Sequence, residues 1–247
     1  MLKDFTKEEF DIIIQAGQSN SEGYGYGDVS EPFVPNDKIW YLNSNFTISL
    51  ASEVVYGNYA TGNFSLSFAN EYIKKSMLHS GRKLLIIRAA VGGTGFCDHH
   101  WGVNDDLFLR MLEMAKTAVA LNPKNKLVAL LWHQGETDSG TSREVHFKNL
   151  EMLVKLTRNV LGCHSLPFIA GDFVQGWKAA NIKSIQPVEM AIRDVCASIG
   201  NAFFVETDGL LSNHQQIEIN DIIHFCRESL YILGEKYFDA FCKITKD

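Results

Sequence analysis

The feature that most restricts how this 247-residue chain folds is the alternation of two hydrophobic patterns along its length. Short, almost unbroken apolar runs occur at 11–16 (DIIIQA), 83–90 (KLLIIRAA), 126–132 (KLVALLW), 167–171 (PFIAG) and 202–205 (AFFV). Such runs read as strands covered on both faces, since a strand with one wet face would alternate apolar and polar residues. Between and after them lie segments whose apolar residues recur at helical spacing: 66–78, 106–121, 142–161, 186–199 and 228–244. Strand then helix, repeated to the end, predicts right-handed crossovers and a mostly parallel five-stranded sheet between helical layers. No internal repeat or Pro/Ser-rich linker interrupts the pattern, so residues 1–247 are read as one domain. The stretch 21–62, rich in Gly, Asn, Ser and Tyr, lacks periodicity and reads as a long loop, functional or disordered.

Composition narrows the partners. The formal charge is −6 and 46% of residues are hydrophobic, with no Lys/Arg cluster longer than a pair, so nucleic acid and anionic membrane surfaces are excluded as partners. No apolar run approaches the ~20 residues of a membrane-spanning helix. The opening MLKDFTKEEFD carries acids where a signal peptide is apolar, which predicts a cytoplasmic protein. Five scattered cysteines, without Cys-x-x-Cys spacing, read as free thiols rather than as a disulfide or zinc framework.

In an open parallel sheet, ligands sit beyond the carboxyl ends of the strands. After the first strand comes Gly17-Gln18-Ser19-Asn20, a serine on a tight turn, suited to a nucleophile and equally to a helix cap. The second strand ends in Gly92-Gly93-Thr94, where glycines let backbone N–H groups point at an oxyanion or simply make a turn. The third runs into Trp132-His133-Gln134-Gly135-Glu136-Thr137-Asp138, dense in polar side chains at the end of an apolar strand. Near the C-terminus, Asp221 and His224 stand three apart, a spacing at which a carboxylate can fix an imidazole tautomer. Asp98 with His99 or His100 is the weaker reading of a metal site: adjacent histidines point apart and no third ligand is suitably spaced. No metal or cofactor is called for. His79, His146, His164 and His214 read as surface or cap residues.

Taken in order, these blocks resemble the SGNH (GDSL-type) hydrolase superfamily, and within it the sialate O-acetylesterase-like and acetylxylan esterase-like carbohydrate esterases. The resemblance spans nearly the whole chain, with Ser21, Glu22 and Val91 departing from the usual motif residues. It implies a flavodoxin-like three-layer α/β/α sandwich and hydrolysis of O-acetyl esters on a sugar through an acyl-serine. Carried over, it makes Ser19 the nucleophile, His224 the base and Asp221 its orienting partner. The N–H groups of Ser19 and Gly92 and the amide of Gln134 become the oxyanion hole. Gln18, Gly93, Trp101 and Glu136 become candidate substrate contacts, with Glu136 equally able to brace the Gln134 loop, the role given to Asp138. Tyr24, Trp101 and Trp177 are aromatic candidates for stacking on a sugar, with packing the alternative for each. The expected partner is a small acetylated sugar; oligomeric state is unreadable. Rival functions are a broad short-chain esterase or thioesterase with the same triad, a carbohydrate-binding protein without turnover, and a metal-dependent deacetylase.

Overall fold

The structure, a computed structural model, describes residues 4–28 and 33–245. From the N-terminus the chain forms β1 (Glu9–Gly17), a helical turn α1 (Ser19–Glu22), then β2 (Gly25–Asp28), β3 (Ile39–Leu42), β4 (Ile48–Leu50), β5 (Val54–Tyr56) and β6 (Tyr59–Gly62). There follow α2 (Phe64–Lys74), β7 (Arg82–Arg88), α3 (Asp106–Ala120), β8 (Lys126–His133), α4 (Arg143–Val160) and β9 (Phe168–Gly171). The chain closes with α5 (Gln175–Ala180), α6 (Ile182–Ser198), β10 (Ala202–Val205), α7 (Asn213–Ile217) and α8 (Arg227–Thr245).

The main sheet has the order β10-β9-β8-β1-β7-β3-β4, parallel throughout except for the antiparallel edge strand β4. The five strands expected from sequence, β1, β7, β8, β9 and β10, form its centre in the order second, first, third, fourth, fifth, as in flavodoxin-like sheets. Two strands more than expected come from the stretch 21–62. That stretch is not one long loop: it supplies β3 and β4 and a separate antiparallel sheet, β2-β6-β5. Their short length hid them: β3 is the apolar run Ile39-Trp40-Tyr41-Leu42, but like its neighbours it is only three or four residues long inside a stretch rich in Gly and Asn.

The helices cover both faces. α2 packs against α8 on one side, and α4 packs against α6 and α3 on the other. Ile12, Ile13 and Ile14 of β1 have no exposed surface, which is why the central strand needs an unbroken apolar run. Among the described residues no helix is long and apolar enough to cross a membrane.

Register sets the rim. β1 pairs Gln15 with Arg88 of β7 and Gly17 with His133 of β8, so the chain segments leaving these three strands emerge level with one another. The junction of β1 and β8 is the switch point of the sheet, where the strand order reverses, the place beyond which open α/β sheets bind ligands.

Candidate active site

The turn carrying Ser19 is held by close backbone approach. Gly17 has φ +119°, and a Cβ there would lie 2.2 Å from the His133 carbonyl oxygen, so only glycine fits. The Gln18 N–H donates to that carbonyl at 2.9 Å, and the buried amide of Gln15 donates to the carbonyl of Ser21. Ser19 begins α1, and its N–H has no acceptor among the described residues. A donor at the start of a helical turn is one of the groups a helix leaves unsatisfied.

Ser19 Oγ lies 2.8 Å from His224 Nε2, across 205 residues of chain. His224 Nδ1 lies 2.9 Å from Asp221 Oδ2, and the His224 N–H donates to the other carboxylate oxygen at 3.2 Å. Burial acts to raise the Asp221 pKa, but hydrogen bonds from His224 and Asn213 outweigh it and hold the group below the usual carboxylate range. Asp221 thus stays ionised where it faces the imidazole.

Two asparagines that sequence reasoning left without a role build this arrangement. Asn20, fully buried, donates to the Ile223 carbonyl at 3.1 Å and accepts from the Phe225 N–H at 3.0 Å, gripping the chain on both sides of His224. The same Nδ2 donates to Glu136 Oε1 at 2.7 Å. Asn213, also fully buried, donates to Asp221 Oδ2 at 2.8 Å and to the Tyr24 carbonyl at 2.9 Å, and accepts from the Tyr26 N–H at 2.9 Å. It ties the Asp221 turn to the strand β2 that follows the nucleophile. Asn20 stood in the nucleophile block, but no sequence signal marked Asn213.

The three expected oxyanion donors are in different states. The Ser19 N–H is free, the Gly92 N–H donates to Glu22 Oε2 at 2.6 Å, and Gln134 Nε2 donates to Asp138 Oδ2 at 2.9 Å and to the Thr94 carbonyl at 3.4 Å. Gln134 is fully buried and its Oε1 has no partner among the described residues. Asp138 accepts from the N–H groups of Phe96 and Cys97 at 3.1 and 2.8 Å and lies 3.4 Å from His146 Nδ1. Its burial acts to raise the pKa, but His146 and these backbone donors bring it down to about 2. His146 is therefore a wholly buried residue facing a carboxylate, not the surface or cap residue its sequence position suggested.

The candidate substrate contacts are mostly internal. Gln18, 3% exposed, turns its Oε1 to the N–H groups of Gly135 and Thr137 at 3.4 and 3.2 Å, stapling the Ser19 turn to the loop after β8. Trp101 is wholly buried, edge-on to Trp132, with its indole N–H on Thr94 Oγ1 at 3.0 Å. With no exposed face it belongs to the core, not to a sugar-stacking surface. Trp177 likewise packs edge-on against Phe173. Glu136 is buried behind Asn20, and burial raises its pKa. Gly93 stands in the open at φ +70°. Tyr24 is exposed, its ring centroid 5.3 Å from that of His224. Asp98 and His100 face separate partners, the Gly95 N–H and Asp106.

Residues 9–243 match the family described as carbohydrate esterase, sialic acid-specific acetylesterase. The chain belongs to this family of carbohydrate esterases. Its members are carboxylic ester hydrolases, and the sequence resemblance to their branch of the SGNH superfamily holds. Among solved structures, NanS superposes with a TM-score of 0.84 at 16% identity, covering 97% of this chain and 98% of its own. A protein from Arabidopsis thaliana gives 0.72 at 21% identity, covering 94% and 98%. A carbohydrate acetylesterase from Xanthomonas citri gives 0.63 at 14% identity, covering 96% of this chain and 56% of its own. These similarities carry the fold of the esterase. No curated protein sequence matches it.

Proposed function

We propose that the protein removes acetyl groups from a sugar by transient acylation of Ser19. The observation that carries this reading is the Ser19 Oγ to His224 Nε2 distance of 2.8 Å, continued by the His224 to Asp221 contact at 2.9 Å. A serine hydroxyl is a poor nucleophile until a base takes its proton as it attacks. His224 Nε2 is at the distance a general base requires. Asp221 accepts from Nδ1–H, which leaves Nε2 as the lone-pair nitrogen and stabilises the imidazolium that forms.

In the first half-reaction Ser19 Oγ bonds to the acetyl carbon, and the carbonyl oxygen takes up the negative charge. Collapse expels the sugar oxygen, which takes its proton from His224. Water, deprotonated by His224, then attacks the acetyl-serine, and acetate leaves with Ser19 restored. The N–H groups of Ser19 and Gly92 and the amide of Gln134 are the donors for the oxyanion. For Gly92 to serve, the Glu22 carboxylate must give up its hydrogen bond. For Gln134, the Asp138 carboxylate fixes one amide hydrogen and so the plane of the group, and the other must leave the Thr94 carbonyl.

Acetate release from a panel of defined acetylated sugars, beside p-nitrophenyl butyrate and an acyl-CoA, tests the reading. The acetylated sugars are expected to be the best substrates, with Ser19→Ala inactive and Gln134→Ala slowed on the order of 10²–10³-fold. Turnover by Ser19→Ala, or preference for the butyrate or thioester, would overturn it.

A further inference from the structure

His146 is buried beside the oxyanion donors but takes no part in the proton transfers. It is the fourth residue of α4, where its N–H donates to the Ser142 carbonyl at 3.0 Å, and its side chain has no exposed surface. The ring packs edge-on against Phe96, with centroids 5.4 Å apart. Leucine or phenylalanine would pack there as well, and burying two ring nitrogens costs free energy unless they find partners. Nε2 has none among the described residues, and Nδ1 makes no well-aligned hydrogen bond. The one ion-pair contact of the ring among the described residues is with Asp138, whose Oδ2 lies 3.4 Å from Nδ1. A carboxylate in that place selects the tautomer with the proton on Nδ1.

Asp138 in turn holds the amide of Gln134. Its Oδ2 accepts from Gln134 Nε2 at 2.9 Å and from the Phe96 N–H at 3.1 Å, and its Oδ1 accepts from the Cys97 N–H at 2.8 Å. An ionised carboxylate only accepts, so it selects the NH2 end of the amide, whereas a protonated one also donates and would take the carbonyl end. The other contact of Nε2, to the Thr94 carbonyl, is long at 3.4 Å and is given up when the oxyanion forms. Gln134 Oε1 has no partner among the described residues, so at that moment Asp138 alone decides which way round the amide lies. Burial acts to raise the Asp138 pKa, and His146 does most to keep it low. No lysine or arginine among the described residues pairs with Asp138 to do this in its stead.

We propose that His146 is a positioning residue of the esterase: set against Asp138, it holds that carboxylate in the form and place that present the Gln134 amide N–H to the oxyanion. His146 touches no substrate and acts through two side chains in sequence. This role rests on the esterase reading and adds to its machinery a residue from outside the motif blocks.

A double-mutant cycle with Gln134 separates positioning from packing. On p-nitrophenyl acetate, His146→Leu is expected to lower kcat about tenfold, with KM within about threefold, against a loss on the order of 10²–10³-fold for removing the Gln134 donor itself. In the Gln134→Ala background the same substitution should change kcat by less than about twofold, because the group it positions is gone. His146→Asn, whose amide N–H stands near the place of Nδ1, should recover kcat to within about threefold of wild type. Equal losses in the two backgrounds, no loss in either, or no recovery with asparagine overturns the role. The side-chain amide resonances of Gln134, assigned by their absence from Gln134→Ala in heteronuclear NMR spectra, give a readout independent of turnover. They should form one resolved pair in wild type and in His146→Asn, and shift or broaden in His146→Leu; a pair unmoved by His146→Leu overturns the role. Should His146→Leu fail to fold, His146→Met, unbranched and without a donor, carries the test. Absence of Ser19-dependent hydrolysis by the unsubstituted protein rejects the esterase reading, and the amide resonances still decide whether His146 positions Gln134.

Discussion

Replacing Asn20 with alanine tests whether the grip on His224 sets the rate. The substitution removes the donor to the Ile223 carbonyl at 3.1 Å, the acceptor for the Phe225 N–H at 3.0 Å and the donor to Glu136 at 2.7 Å. Each neutral group left unsatisfied in a buried place costs about 1–3 kcal/mol. Glu136, whose pKa burial already raises, limits its share by taking up a proton. The two neutral groups sum to about 2–6 kcal/mol, below the middle of the ~5–15 kcal/mol a domain has in hand, so the variant is expected to fold. The kinetic effect comes from the His224 segment, which loses both of its flanking anchors. A displacement of ~1 Å in a reacting group costs on the order of 10²-fold in rate. We expect kcat for an acetyl ester to fall about 10- to 100-fold with KM nearly unchanged, and fluorophosphonate labelling of Ser19 to slow in parallel. Asn20→Asp keeps the acceptor for Phe225 and should fall between wild type and alanine. A folded Asn20→Ala protein, checked by urea unfolding, with kcat within about threefold of wild type would refute the reasoning.

Three further outcomes follow from the same geometry. Glu136→Gln keeps the oxygen that accepts from Asn20 and removes a buried charge, so kcat and KM should stay within about threefold and stability should hold or rise; a large KM increase with every acetylated sugar would mean that Glu136 touches substrate. Glu22→Ala frees the Gly92 N–H from a charged competitor and is expected to raise kcat/KM for p-nitrophenyl acetate by about threefold or more; a fall on that small neutral ester would mean that Gly92 is not an oxyanion donor or that Glu22 shapes the turn. His133 is buried, with Nδ1 3.0 Å from the Tyr237 hydroxyl, and burial depresses its pKa from 6.5 to about 3. The unfolded chain takes up this proton first, so the stabilisation is full above pH ~6.5 and is lost as pH falls towards ~3, a loss of about 5 kcal/mol. Urea unfolding between pH 7 and 4 should show about 3 kcal/mol of that loss in wild type and much less of it in His133→Asn; parallel pH curves for the two proteins would rule the account out.

Much of the fold could be read from the residues because hydrophobic pattern is a local signal. The central strands are apolar on both faces, so 11–16, 83–90, 126–132, 167–171 and 202–205 stood out, and each lies in or overlaps an observed strand. Helix ends were less legible: α6 begins at Ile182 rather than at residue 186, with Pro187 inside it. The strands β3 and β4 and the sheet β2-β6-β5 were missed because each is only three or four residues long, β3 being apolar throughout but too short to stand out. At the site, motif order singled out Ser19, Asp221, His224, Gly92 and Gln134, but motif order says nothing of accessibility. Trp101 and Gln18 look like binding residues in a loop and prove to be buried fittings between loops.

What the sequence determined by itself is therefore the layered sheet and the kinds of chemistry at its strand ends, since periodicity and residue type are properties of short segments. What only the tertiary structure decided is which of those groups meet. The contact between Ser19 and His224, the hold of Asn20 and Asn213 on the imidazole and carboxylate, and the Glu22 carboxylate on the Gly92 N–H all join residues far apart in the chain. Distances between such residues depend on the register of β1 between β7 and β8 and on how the flanking loops pack, and neither is encoded in any one segment.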